Sequence, residues 1–124
     1  MAVDFSAWEE PVDDDTHVVA VRGEIDIFTA PEFKSLIAGA IEAGRDTIVV
    51  DLCEASFIDS SSLGVLISAH RRLGLRDGRL IIACDVPEVR KTFTITGLDS
   101  VLRIVDTRAD ALAARDDEGA PEAA

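Results

Sequence analysis

At 124 residues the chain has the length of one ordinary domain, and its 48% hydrophobic residues supply a core, which excludes a disordered chain. Twelve Lys+Arg against 24 Asp+Glu leave a net charge of −12. That balance excludes a nucleic-acid binder, which needs clustered cations to displace the counterions of phosphates, and it excludes attraction to an anionic membrane surface.

The acidity sits at the ends. Residues 1–15 hold six acids and no base, and residues 115–124 hold four acids and one Arg, so residues 16–114 are nearly balanced at 11 bases against 14 acids. No apolar run approaches the roughly 20 residues of a spanning helix. The opening Met1-Ala2-Val3-Asp4-Phe5 lacks the basic-then-apolar form of a secretory signal. Cys53 and Cys84 stand apart from any Cys-x-x-Cys or His cluster, so a cytoplasmic protein with two reduced thiols is expected.

Between the ends, strand-type runs alternate with helix-period segments. Residues 2–9 are a candidate edge strand, with Trp8 as its packing anchor. Val18-Val19-Ala20-Val21 is a β-branched run that stops at Arg22-Gly23. Thr29-Ala30-Pro31-Glu32 has the form of a capping box, with Thr29 as the N-cap. Phe33, Leu36, Ile37, Ala40 and Ile41 then fall on one helix face, which Gly44 ends. Ile48-Val49-Val50 predicts the next strand, closing at Asp51-Leu52.

A second helical face runs from about 60 to 73 through Leu63, Leu66, Ile67 and Leu73, stopped by Gly74. His70 falls on or beside that face as a packing residue. Leu80-Ile81-Ile82-Ala83 is a strand, and Asp85, Pro87 and Glu88 mark a capped helix start with Val86, Val89 and Phe93 inside. Gly97 ends that helix, Val101 to Val105 is the last strand, and Thr107 with Asp110 caps a short final helix. Strands joined through helices run parallel, with right-handed crossovers. The expected fold class is therefore α/β, a four- to five-stranded mixed sheet with helices packed against it, and sites in such folds gather at strand C-terminal ends and helix N-termini.

One segment at such a place stands out, Phe57-Ile58-Asp59-Ser60-Ser61-Ser62-Leu63-Gly64. Three serines open a helix directly after an acid, in a loop following a strand. Capping alone accounts for one of these oxygens; a functional hydroxyl is the other reading. A serine hydrolase does not fit: the segment is not a G-x-S-x-G elbow, His70 is about 15 Å along the same helix from Ser60, and His17 precedes a strand at its opposite end. Neither GxxxxGK[ST] nor GxGxxG is present. Glu24, Asp26, Asp51 and Asp59 lie near strand ends, but Val105-Asp106-Thr107 stands where a receiver-type phosphoaspartate site with Mg²⁺ requires a Lys. Neither cysteine has a basic sequence neighbour to lower its pKa. No cofactor, metal site or catalytic group is expected.

Asp59-Ser60-Ser61-Ser62-Leu63-Gly64 resembles the Asp-Ser-Ser/Thr-Gly-Leu-Gly signature of STAS domains, specifically the bacterial anti-sigma factor antagonists. Gly23-Glu24-Ile25-Asp26 resembles that family's Gly-Glu-Leu-Asp, Thr29-Ala30 matches the start of its first helix, and Gly97-Leu98, after a helix carrying Phe93, falls where the family has Gly-Leu. The resemblance covers roughly residues 15–112. It implies a STAS-like sheet with about four helices in a single domain over residues 1–114, while residues 115–124, acidic and without large apolar side chains, are expected to form a disordered tail.

It further implies that Ser60 is phosphorylated by a partner that is both an anti-sigma factor and a serine kinase. The unphosphorylated protein would bind that partner and release its sigma factor, and a PPM-type serine phosphatase would reset it. Glu24, Asp26, Asp59, Ser61, Ser62, Leu63, Gly64 and Leu98 are the expected partner-binding residues, with Asp26 and Asp59 close in space. Ser62 departs from the usual Gly; a side chain there would narrow the kinase's access or offer a second acceptor. The alternative is a STAS module that docks without phosphorylation on an ABC-transporter ATPase or a stress-signalling assembly.

Overall fold

The computed structural model describes residues 5–115, so most of the expected tail, from 116 onward, lies outside the described residues, as do positions 2–4 of the expected edge strand. Strands β1 (Ser6–Pro11), β2 (Thr16–Ile25), β3 (Thr47–Ile58), β4 (Arg79–Ala83) and β5 (Arg103–Val105) alternate, after the first hairpin, with helices α1 (Ala30–Glu42), α2 (Ser60–Gly74) and α3 (Pro87–Thr96), and α4 (Arg108–Ala114) closes the series. A 3₁₀ turn, Leu98–Ser100, follows α3. The strands lie side by side in chain order. β1 is antiparallel to β2, and β2 through β5 are parallel.

That order decides where the helices go. Each right-handed crossover that moves one strand further in the same direction puts its helix on the same face. α1, α2 and α3 accordingly supply Phe33, Ile37, Leu66, Leu73 and Phe93 to one main core, against Val19, Val21, Ile48, Val50, Leu52, Leu80 and Ile82. The alternate residues of the same strands, Val18, Val49, Ile81 and Ala83, face the other way and are covered by Ala111 and Ala114 of α4. Middle strands buried on both faces explain the continuous apolar runs. Arg108 fastens α4 there: its Nε donates to Asp51 Oδ2 (2.9 Å) and its Nη1 and Nη2 donate to the two oxygens of Glu10 (2.9 and 3.2 Å). Trp8 Nε1, on the same strand, donates to that Glu10 carboxylate (2.8 Å), and the Arg108 bonds to Glu10 tie the edge strand to α4.

Several boundaries differ from the sequence expectation for physical reasons. β2 and β3 outrun their apolar runs. β3 pairs with β4 only as far as Asp51–Ala83, but its ladder with β2 continues through Gly23–Ala55 and Glu24–Phe57 to Ile25–Ile58. Backbone pairing to one neighbour sustains the strand where Glu54, Ser56 and Phe57 are exposed. Phe57 and Ile58 thus belong to the strand, not to a loop. β5 is shorter than expected, starting at Arg103, because the amides of Val101 and Leu102 close the 3₁₀ turn on Leu98 O (3.0 and 2.8 Å).

Cap assignments shift as well. Thr29 precedes α1 but its side chain makes no cap bond, and it is Val86, not Asp85, that precedes α3. Gly74 is the last residue of α2 rather than its stop; the reversal comes at Asp77 (φ 60°), with Gly78 N donating to Leu73 O (2.7 Å). Arg115 follows α4 directly and pairs with Asp13 (3.1 Å).

The β2–β3 extension contains register shifts between Ala20 and Arg22 and between Gly23 and Glu24. Gly23 sits among them, buried, at φ +89°. Only glycine takes that conformation without cost. Gly23→Ala is expected to lower the unfolding free energy by about 1–2 kcal/mol, the cost of a left-handed L-residue, in a denaturant titration; an unchanged midpoint would show that the extension relaxes around the new methyl group.

Candidate functional site

The register pair Ile25–Ile58 ends both strands of the extension level with one another. The residue after each strand is an aspartate, so parallel pairing sets Asp26 and Asp59 at the ends of adjacent strands. Each carboxylate then organises its own turn. Asp26 Oδ1 accepts from Phe28 N (2.9 Å) and Thr29 N (3.1 Å). Thr29 Oγ1 accepts from Asp26 N (2.8 Å) and donates to Glu24 O (3.1 Å). The bonding expected of a Thr29 cap is turned around: Asp26 braces the entry to α1, and Thr29 reaches back to the end of β2.

Asp59 is the N-cap of α2. Its extended backbone (φ −122°, ψ −174°) aims Oδ1 at the first turn, where it accepts from Ser61 N (3.0 Å) and Ser62 N (3.2 Å). One carboxylate oxygen therefore satisfies two of the orphan amides of the helix start, and its negative charge suits the positive end of the helix. Ser60 occupies the first helical position and is exposed, and its hydroxyl has no partner among the described residues. Ser61 is half-buried.

Ser62 is 0% exposed, and its Oγ lies 3.2 Å from both Ile25 O and Asp59 Oδ1. It is not presented at the surface as an acceptor would be. The other expected binding residues divide in the same way. Gly64 is exposed, with open space where a Cβ would stand. Glu24, Asp26 and Asp59 are half-buried at the site. Leu63 belongs to the main core, and Leu98 packs against that core from the 3₁₀ turn.

Three large apolar side chains near the ends of β2 and β3 escaped the sequence reading. Phe28 is 87%, Ile27 66% and Phe57 48% exposed. Phe57 is the register partner of Glu24, and Ile27 and Phe28 lie in the turn that Asp26 braces. The available signal was Ile27-Phe28 itself, two large apolar residues in a loop just before a helix start, outside that helix's apolar period. Ile27 also lines an open groove of about 470 Å³ between α1 and α2, with Pro31, Lys34, Ser61, Gly64 and Val65.

The remaining titratable candidates lie elsewhere. His17 is in β2 at the end away from Ser60, with Nε2 2.8 Å from Glu9 Oε1. His70 is half-buried on α2. Cys53 lies within β3 rather than after it. Burial, with the Asp51 carboxylate behind it, pushes the Cys53 thiol up to about 12, and burial raises Cys84 as well. Cys84 is part of the main core whereas Cys53 packs on the opposite face, so the sheet separates the two sulfurs. Among the described residues no cluster of His, Cys, Asp and Glu is suited to a metal ion, and no helix is long and apolar enough to cross a membrane.

The STAS domain family matches residues 7–111, most of the chain and the whole of this site. The chain belongs to the STAS domain family. It is 30% identical over 91 residues (73% of this chain, 84% of the relative) to the anti-sigma-B factor antagonist of Staphylococcus epidermidis. Its fold superimposes on an anti-sigma factor antagonist from Mycobacterium paratuberculosis with a TM-score of 0.84 at 31% identity, covering 92% of this chain and 96% of that one. The anti-sigma factor antagonist SpoIIAA matches in its unphosphorylated form (TM-score 0.75, 30% identity, 86% and 93% covered). The phosphorylated form of the Bacillus protein matches too (TM-score 0.69, 28% identity, 87% and 97% covered). The α/β architecture of this STAS domain, a five-stranded mixed sheet with four helices among the described residues, agrees with those neighbours.

The raised thiol pKa predicts chemical behaviour directly. A thiol at about 12 instead of 9.0 carries about a thousandfold less thiolate at pH 8. Cys53 in the folded chain is therefore expected to react with iodoacetamide far more slowly than in denaturant, and buried Cys84 more slowly still. Rapid native labelling at pH 8, read by intact mass, would contradict that burial.

Proposed function

We propose that this STAS domain is an anti-sigma factor antagonist whose unphosphorylated form binds an anti-sigma factor with serine kinase activity, and whose binding is switched off by phosphorylation at Ser60. The observation that carries this reading is the exposed, unpartnered Ser60 hydroxyl at the first position of α2, together with exposed Ile27, Phe28 and Phe57 at the ends of the paired strands β2 and β3. Exposed aromatic groups next to a rigid element are the usual anchors of a protein interface. The relatives named as anti-sigma factor antagonists, one of them known in both phosphorylated and unphosphorylated forms, support the same assignment.

The local bonding explains how a phosphoryl group acts. In the transfer, Ser60 Oγ forms a bond to the γ-phosphorus of ATP, ADP leaves, and the hydroxyl proton passes to a base of the kinase. Ser60 is substrate; the general base and the Mg²⁺ belong to the partner. The new group carries about 1.5–2 negative charges. A helix start often captures such a charge with its free amides, but here Ser61 N and Ser62 N already donate to Asp59. The phosphoryl group therefore faces outward, beside Asp59, and its charge opposes a close-packed partner rather than reshaping the domain. A PPM-type serine phosphatase removes it and restores binding.

Ser60 is the acceptor in this scheme, and Ser62, buried with both nearby acceptors engaged, is not. The test is incubation with a purified candidate anti-sigma factor kinase and ATP, with intact-mass and binding measurements. Ser60→Ala is expected to lose labelling and keep binding; Ser60→Asp is expected to weaken binding by about 2 kcal/mol, roughly 30-fold. Phe28→Ala should weaken binding at least tenfold, as an anchor residue does, while its exposure leaves the melting temperature nearly unchanged. Labelling of Ser60→Ala at another serine would reassign the acceptor. Absence of labelling of the wild-type chain by any candidate kinase would favour a docking module that works without phosphorylation, on an ABC transporter or a stress-signalling complex.

A further inference from the structure

Ser62 stands where the family signature usually has glycine, and in this chain the added hydroxyl does something specific. Its single proton is shared between Ile25 O and Asp59 Oδ1, each 3.2 Å away, in a site with no solvent exposure. Ile25 is the last residue of β2, and Asp59 is the cap of α2. One buried side chain thus joins the two turns that build the candidate site, 37 residues apart in sequence.

The bonds of the turn beyond Ile25 hang from the end of β2. Asp26 Oδ1 holds Phe28 N and Thr29 N, and Thr29 Oγ1 ties Asp26 N to Glu24 O. The Ser62 bond is made at that same strand end, so fraying of Ile25 displaces Glu24 O and Asp26 N and opens the turn they hold. A small shift there is carried outward to Phe28, the most exposed side chain of the turn. The same hydroxyl touches the carboxylate oxygen that holds Ser61 N and Ser62 N, so it also bears on the helix start that presents Ser60.

We propose that Ser62 is a positioning residue, whose buried hydroxyl fastens the end of β2 to the α2 cap and thereby sets the Ile27–Phe28 turn in place relative to Ser60. A glycine at 62 has no group to make this bond, so the fastening is a property of this chain and not of the signature. Its consequence for the partner rests on the function proposed above, whereas the fastening itself is a property of the free protein.

The first experiment therefore uses the free, full-length chain. Amide hydrogen exchange of Phe28 and Thr29 is measured by NMR in Ser62→Ala and Ser62→Gly, each compared with the core amides of Val50 and Leu66 in the same variant. The expected result is exchange about tenfold faster at Phe28 and Thr29 relative to those core amides, since local opening is separable from global unfolding. An unchanged ratio overturns the proposal. An effect of glycine without an effect of alanine also overturns it, because backbone freedom and not the hydroxyl would then be responsible.

The second experiment uses the purified anti-sigma factor kinase and reads phosphorylation of Ser60. Ser62→Ala is expected to raise KM for the chain about three- to tenfold with kcat unchanged, the signature of lost uniform binding. Ser62→Thr, which keeps the hydroxyl, should restore KM, and in a Phe28→Ala background the effect of Ser62→Ala should fall below about twofold, since residues that act through one another are not additive. A fall in kcat at constant KM, or full additivity with Phe28→Ala, contradicts positioning through the turn. If the wild-type chain is neither bound nor labelled, the proposed function fails, and the exchange measurement still decides the fastening.

Discussion

The parallel register of β2 and β3 is the constraint on which the site depends. Because Ile25 and Ile58 are partners, the chain leaves two adjacent strands at the same level, and the residues that follow in each are placed side by side. Both are aspartates, and each commits its carboxylate to the amides of the turn it enters. A slip of one residue in this ladder would turn every side chain of one strand to the opposite face, moving buried Val19 and Val21 out of the main core. The hydrophobic core thus enforces the register, and the register in turn builds the site.

The one-directional order of the strands has a second consequence. Three crossovers of one hand fill one face of the sheet with α1, α2 and α3, leaving the seven-residue α4 to cover part of the other. So short a helix has little stability of its own. It is held by Ala111 and Ala114 in the second core and by Arg108, whose guanidinium binds Glu10 on β1 and Asp51 on β3 together. That pairing, with Trp8, holds the Glu10 carboxyl below its usual range. The charge of this acidic chain therefore serves partly for internal fastening, at the face away from the main helices.

The fold was largely legible from the sequence, since apolar period and turn residues mark the four helices and β2 to β5, whereas the edge strand, a candidate over 2–9, lies at Ser6–Pro11. What was not legible follows from interactions the sequence does not display. β3 continues to Ile58 because its backbone pairs with β2, although Glu54 and Ser56 carry no apolar signal. Thr29-Ala30-Pro31-Glu32 has the spacing of a capping box, yet the turn before the helix takes Thr29 Oγ1 for Glu24 O and Asp26 N instead. Ser60 and Asp59 were singled out through a motif, with the cap left open among their oxygens; the structure gives the cap to Asp59. Ile27, Phe28 and Phe57 were not, because exposure of a large apolar residue is decided by how the rest of the chain packs, and an apolar letter by itself reads as core.

A phosphorylation switch can work either by refolding a segment or by changing what an unaltered surface accepts. Refolding requires new internal partners for the phosphate, typically free amides or arginines. At the α2 start two amides are committed to Asp59. Lys34, in the nearby groove, is a single mobile charge and not a bidentate clamp. The fold around Ser60 therefore offers a phosphoryl group little to bind and gives it no reason to move the backbone. Under the proposed function, a partner surface that closes over Ile27 and Phe28 would meet instead a doubly charged group it has to desolvate, next to a carboxylate already present. Such a charge left unpaired in an interface costs several times the thermal energy. In the proposed switch the effect is carried by the partner's intolerance, and the STAS domain needs only to hold the serine rigidly in the open.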